Sequence, residues 1–146
     1  VSDLNIEQPE FDFVYSMAVL EHVEAPETTV KKMYSYMKKG AIAYHKIDLK
    51  PHGKDKTTPV SILSYSTEDW NRRMKNTDNW IYLNRLRRSD WINIFSSAGF
   101  EILSYNCGKF SIISDEAIYD KINREYWKYS LEELNEATLN ITLRKI

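Results

Sequence analysis

Residues 11–23 read FDFVYSMAVLEHV, and residues 26–48 read PETTVKKMYSYMKKGAIAYHKID. The run Phe11 to Met17 is short, aromatic and β-branched, and it follows Pro9, so it predicts a buried strand. Pro26 then opens a helix over Glu27 to Lys39. Val30, Met33, Tyr34 and Met37 recur there at i, i+3, i+4 and i+7, Glu27 lies in the first turn, Lys38 and Lys39 in the last, and Gly40 stands as the stop. Ala41 to Asp48 is a second continuous apolar run, the pattern of a strand covered on both faces. Strand, helix, strand with this spacing implies parallel pairing through a right-handed crossover.

The pattern continues outward. Lys50 to Pro59 is polar with two prolines and reads as a loop, after which Ser66 or Thr67 caps a helix carrying Glu68, Asp69 and Trp70. Ser89 caps another, whose stripe of Trp91, Ile94, Phe95 and Ala98 ends at Gly99, and a strand follows over Phe100 to Asn106. Ser114, Asp115 and Glu116 begin a helical stretch toward Trp127, and Ser130 with Glu133 forms a capping-box pattern. Leu139, Ile141 and Leu143 alternate with Asn140, Thr142 and Arg144, the period of a strand with one wet face, which suits an antiparallel addition at the far side of the sheet. The predicted order is β, α, β, α, α, β, α, β, an open α/β sheet in one domain over residues 1–146. Its first strand is too apolar to be an edge, so a neighbour is expected beside it, and self-association through that edge or an uncovered sheet face is the expected result of lacking one.

Composition narrows the function classes. The chain has 146 residues, 20 Lys plus Arg against 21 Asp plus Glu, and 42% apolar content, which describes a core-forming domain without bulk attraction to nucleic acid. No apolar stretch reaches the length of a membrane helix and the first residues lack the regions of a signal peptide, so a cytoplasmic setting without membrane contact is expected. The single Cys107 has no cysteine partner for a disulfide or a zinc knuckle. A chain that opens at Val1 and runs so soon into a strand reads as an excerpt of something longer.

These residues carry a family resemblance. Asp3, then Phe11, Asp12 and Val14, then Leu20, Glu21 and His22, then Gly40 before the Ala41 strand, resemble the central and C-terminal half of class I S-adenosylmethionine-dependent methyltransferases of the type 11-like kind. SerAlaGlyPheGluIle at 97–102 resembles that family's turn into its sixth strand, and AsnArgLeuArgArgSerAspTrp at 84–91 resembles a subset of it. The resemblance implies a partial Rossmann-like sheet of family strands 4, 5, 7 and 6, and transfer of a methyl group from S-adenosylmethionine to a small-molecule or glycan-type acceptor. It places Asp3, Met17, Glu21 and His22 on the cofactor side, with His22 the candidate for proton transfer. The family's Gly-rich turn after its first strand and the acidic residue after its second have no counterpart here, and LysLysGly replaces the usual Lys-Pro-Gly-Gly. The chain alone is therefore expected to bind the cofactor weakly or not at all and to be inactive by itself. A non-enzymatic remnant or binding module is the alternative.

The remaining candidates follow from position. Asp48 and His52, at and beyond the end of the second predicted strand, read as substrate-side residues, because open α/β sheets bind ligands at the carboxyl ends of their strands. Trp70 to Trp91 holds Arg72, Arg73, Lys75, Arg85, Arg87 and Arg88 against Asp78 and Asp90, six cations less two anions, among Trp80 and Tyr82. Such interleaving can clamp an anionic acceptor, with Arg85 and Arg87 as the contacts, or can be a solvated face. His45, Asp48 and His52 suggest a metal by type, but a spacing of three in a strand sends His45 and Asp48 to opposite faces, and no metal is expected. Met33, Tyr34 and Met37 read as core.

Overall fold

The computed structural model describes residues 11–52, 60–75, 82–110 and 116–146. Asp3, Asp78, Trp80 and the expected helix start at Ser114 and Asp115 lie outside the described residues. Four strands, β1 (Phe11–Met17), β2 (Met37–Asp48), β3 (Phe100–Lys109) and β4 (Glu136–Lys145), form a sheet ordered β1-β2-β4-β3. β1 pairs with β2 in parallel, and β4 runs antiparallel to both β2 and β3. This is the expected mixed sheet, with β1, β2 and β3 all ending on the same edge.

The helices α1 (Pro26–Tyr36) and α3 (Arg88–Ser97) cover one face of the sheet. Val30 and Met33 of α1, Trp91, Ile94 and Phe95 of α3, and Ala43, Ile47, Leu139, Ile141 and Leu143 of the strands share one apolar core. Pro at the first turn of α1 costs nothing, because that turn's N–H groups have no helical partner. α1 ends four residues before the predicted stop: Met37 is already extended and fully buried, and β2 begins there. Gly40 is thus a left-handed residue (φ +82) within β2, where the β1 register slips between Phe11 and Phe13. Gly99 does stop α3, at φ +103, and a Cβ there would meet the Tyr34 ring at 3.0 Å. The cap of α3 is Arg87 rather than Ser89, with Asp90 accepting the Arg87 backbone N–H at 2.9 Å.

Two expectations about burial are corrected. β1 is an edge strand among the described residues, and Phe13, Tyr15 and Met17 are more than half exposed on the face without helices. β2 is covered by helices on one face only; Ile42, Tyr44 and Asp48 on the other are half-buried. The expectations are a buried strand over Phe11 to Met17 and a strand covered on both faces over Ala41 to Asp48, and nothing among the described residues covers the second face.

The connections β2→α3 and β3→β4 build a second, smaller core. It holds Ile62, Leu63 and Trp70, the last on α2 (Thr67–Lys75), with Leu83, Ile118, Ile122, Tyr126 and Leu134. The stretch expected as one helix toward Trp127 is instead two short 3-10 helices, Glu116–Lys121 and Arg124–Tyr126, followed by the single-turn α4 (Leu131–Leu134). Ser130 Oγ accepts the Glu133 N–H as the capping pattern requires, but the Glu133 carboxylate turns away to accept the Ser89 N–H at 2.6 Å. Both connections leave the carboxyl edge of the sheet, so this second core is a cap beside that edge.

Candidate functional site

At the end of β1 the chain makes a sharp turn. Ala18 takes a left-handed conformation (φ 53), which costs a non-glycine residue about 1–2 kcal/mol. It is held there by its N–H donating to the Lys46 carbonyl at 2.9 Å. The turn leads into a 3-10 helix, Leu20–His22, that presents Glu21 and His22 beside the end of β2. Glu21 is 3% exposed, and neither carboxylate oxygen has a hydrogen-bond partner. Burial pushes its carboxyl above the usual range, only partly opposed by the nearby backbone N–H groups of Glu21 and Asp48, which fall short of hydrogen-bond geometry, and by His22. His22 Nε2 lies 3.7 Å from Glu21 Oε1, the His22 and His52 rings are 5.2 Å apart, and His52 Nε2 is 3.5 Å from Asp48 Oδ2. Four of the predicted residues, Glu21, His22, Asp48 and His52, therefore converge. Met17, also predicted, is exposed at the head of the turn. Among the described residues no group of three or more His, Cys, Asp or Glu side chains is arranged to hold a metal ion. His45 is on the helix-covered face, stacked on Phe95 at 5.5 Å and bonded through Nδ1 to Ser16 Oγ.

Arg85 and Arg87 are placed elsewhere, and the expectation that both reach an acceptor is corrected for Arg87. Its side chain is fully buried, and its guanidinium donates to the carbonyls of Leu49, Leu134 and Glu136 at 2.8, 3.4 and 3.2 Å, tying β2, α4 and β4 together. Arg85 is 6% exposed, donates to the Ile62 and Tyr65 carbonyls, and is sandwiched between the Trp70 and Tyr126 rings at 4.9 and 5.2 Å. It also forms part of the wall of a cavity of about 340 Å³ in the cap, with Trp70, Tyr82, Asn84, Tyr126 and Lys128.

Residues 82–87 form an irregular strap, left-handed at Arg85 (φ 60), whose burial alternates: Leu83, Arg85 and Arg87 are buried, and Tyr82, Asn84 and Leu86 are half-buried. The strap grips the Leu20–His22 turn. Asn84 N–H donates to the Glu21 carbonyl at 2.9 Å, and Asn84 Nδ2 donates to the Leu20 and Val23 carbonyls at 2.8 and 3.2 Å. The Tyr82 carbonyl meets His22 Nδ1 at 2.8 Å. Sequence reasoning missed Asn84 because its partners lie some sixty residues away and no local pattern marks them.

The arrangement suits a polar ligand. A buried carboxylate with two vacant acceptor oxygens, at the carboxyl edge of parallel strands, fits a ligand bearing N–H or O–H donors or a positive charge. No glycine lies near this turn among the described residues to let a backbone approach the ligand's other end.

A family model described as a methyltransferase domain matches residues 2–105. No curated protein matches. Among solved structures, an S-adenosylmethionine-dependent methyltransferase from Methanosarcina mazei aligns with TM-score 0.60 at 13% identity, over 99% of this chain and 64% of its own. The complex of a Haloferax volcanii methyltransferase with its Trm112 activator gives 0.56 at 16%, over 97% and 57%. The [4+2]-cyclase SpnF gives 0.55 at 16%, over 98% and 52%. The chain thus spans between half and two-thirds of the length of these structures, which share its fold.

Proposed function

The chain belongs to the methyltransferase-domain family, and from that premise we propose that it supplies the acceptor side, and part of the cofactor side, of an S-adenosylmethionine-dependent methyl transfer. The observation that carries this reading is the convergence of Glu21, His22, Asp48 and His52 where β1 and β2 end. The cofactor, when bound, supplies an electrophilic methyl group on a sulfonium. Glu21 offers its unpartnered carboxylate to a donor or cationic group of the ligand, and Met17 borders the same turn. His22, 23% exposed at its side chain, is open to the acceptor and takes its proton, while Asp48 and His52 line the acceptor's approach from the end of β2. The cap shields that edge from water, which strengthens each of these polar contacts. Methyl transfer is mostly positioning, so few groups need act on the reacting atoms.

An amide-resolved titration of the chain with S-adenosylhomocysteine tests the placement. Shift changes concentrated at residues 17–23, 48 and 52 are expected; changes confined to other surfaces contradict it. We infer also that the chain self-associates through the open edge of β1 and its exposed Phe13, Tyr15 and Met17. Sedimentation at micromolar concentration should then show a species of about twice the 17.3 kDa chain mass, and a concentration-independent monomer refutes it.

A further inference from the structure

We propose that the strap is the positioning device for His22: the Tyr82 carbonyl holds the imidazole proton on Nδ1, and Asn84 holds that carbonyl in place, so that Nε2 is left bare as the proton acceptor. This deepens the methyl-transfer reading and rests on it. A carbonyl oxygen can only accept, so a 2.8 Å contact with Nδ1 requires the proton to be on Nδ1. In neutral imidazole the other nitrogen must then carry the lone pair. That nitrogen is the one lying toward Glu21, beside the His52 ring. The logic is that of a catalytic histidine whose tautomer is fixed by a partner on its far nitrogen, with a backbone carbonyl here in place of a carboxylate.

Asn84 makes the arrangement rigid. Three donations from this one residue reach the carbonyls of Leu20, Glu21 and Val23, all within or flanking the His22 turn, and its own Oδ1 accepts the Leu86 N–H at 3.3 Å. The strap and the turn cannot slide past one another without breaking several of these bonds at once. Tyr82, Asn84, Arg85 and Leu86 also line the cap cavity, so the element that orients His22 is at the same time part of the cavity's wall. A site arranged in this way serves an acceptor that must lose a proton, an alcohol or an amine. Its O–H or N–H proton passes to Nε2, its electron pair forms the new bond to the methyl carbon, and the carbon–sulfur pair stays with sulfur; the imidazolium afterwards releases the proton to water.

The test is long-range ¹H–¹⁵N correlation of the histidine rings in the chain without cofactor, which makes its failure separable from failure of the methyl-transfer reading. In the wild type, neutral His22 should show its proton on Nδ1; a proton on Nε2 overturns the proposal. Asn84→Asp removes both side-chain donations and sets a carboxylate against two carbonyls, and should return His22 to a mixture of tautomers while β2 and β4 amide shifts stay in place. Asn84→Ala reads the same quantity should Asn84→Asp fail to fold. Tyr82→Phe keeps the carbonyl and should leave the tautomer unchanged. A fixed Nδ1 proton in a folded Asn84 variant overturns the strap's role.

Discussion

The strap's two halves do different work although they adjoin in sequence. Tyr82 and Asn84 face the turn that carries Glu21 and His22, whereas Arg85 and Arg87, on the alternate side, are buried in the cap and spend their guanidinium hydrogens on backbone carbonyls. The charged half is a staple and the neutral half touches the site. Charge on a short stretch of sequence thus says little about which side chains meet a ligand. The direction each one points, set here by the path of the strap with its left-handed residue at Arg85, decides it.

If the second half is a staple, Arg87→Ala has the largest effect. It strands three buried carbonyl acceptors and removes a fully buried cation that acts on Glu133 and Glu136, so a loss of about 3–5 kcal/mol is expected, read as the shift of the urea midpoint. A loss under about 1 kcal/mol would make the staple reading untenable. Acid should come next, through the core rather than the site. Burial pulls His45 down to about 4 from an ordinary value of 6.5, so its neutral form is favoured by folding. That stability is complete above pH 6.5 and is lost as pH falls toward 4, on the order of 3 kcal/mol in all. His45→Gln should flatten the stability profile across that window, and an unchanged slope refutes the assignment.

Arg85→Ala removes two carbonyl bonds and the filling between Trp70 and Tyr126, and about 2–3 kcal/mol is expected from chemical denaturation. If it costs as much as Arg87→Ala, the two arginines are equivalent staples and the cavity wall has no separate character. Glu21→Gln is the smallest and has the opposite sign. A carboxyl raised by burial stabilises the fold at pH below its ordinary value, and that contribution disappears as pH rises through the raised one. The variant should therefore be more stable than the wild type near neutral pH, by about 1 kcal/mol, the scale of one unsatisfied polar group, and the gap should close toward pH 4. Equal thermal midpoints at pH 7 would mean that Glu21 is already paired.

Much of this was legible in the sequence. The strand–helix–strand start, the stripe on α3 ending at Gly99 and the alternation of β4 each report a local period, and local periods survive without tertiary context. The position of Glu21, His22, Asp48 and His52 at strand ends followed from the same reading. The edge status of β1 follows from the implied strand order 4, 5, 7, 6 rather than from composition, because Phe11 to Met17 has the composition of a central strand and composition does not report which neighbour is present. The 3-10 helices at Glu116–Lys121 and Arg124–Tyr126 were hidden behind good helix-start residues, since packing of Ile118, Ile122 and Tyr126 into the cap outweighs propensity there. The burial of Arg87 is not legible either, because its partners are the carbonyls of Leu49, Leu134 and Glu136, some forty or more residues away in sequence. Cys107 is half-buried, with its thiol pushed up to about 12, chiefly by burial.

The measurement that bears most directly on the central claim is calorimetric titration of this chain with S-adenosylhomocysteine. The proposed reading is that the Glu21–His22 turn grips one end of the cofactor while no glycine turn among the described residues offers backbone donors to the other end. Losing even three good hydrogen bonds removes several kcal/mol, on the order of a thousandfold in affinity. A dissociation constant of about 1 mM or weaker, weakened further by Glu21→Ala, is the predicted result. Micromolar or tighter binding, indifferent to Glu21, would contradict it.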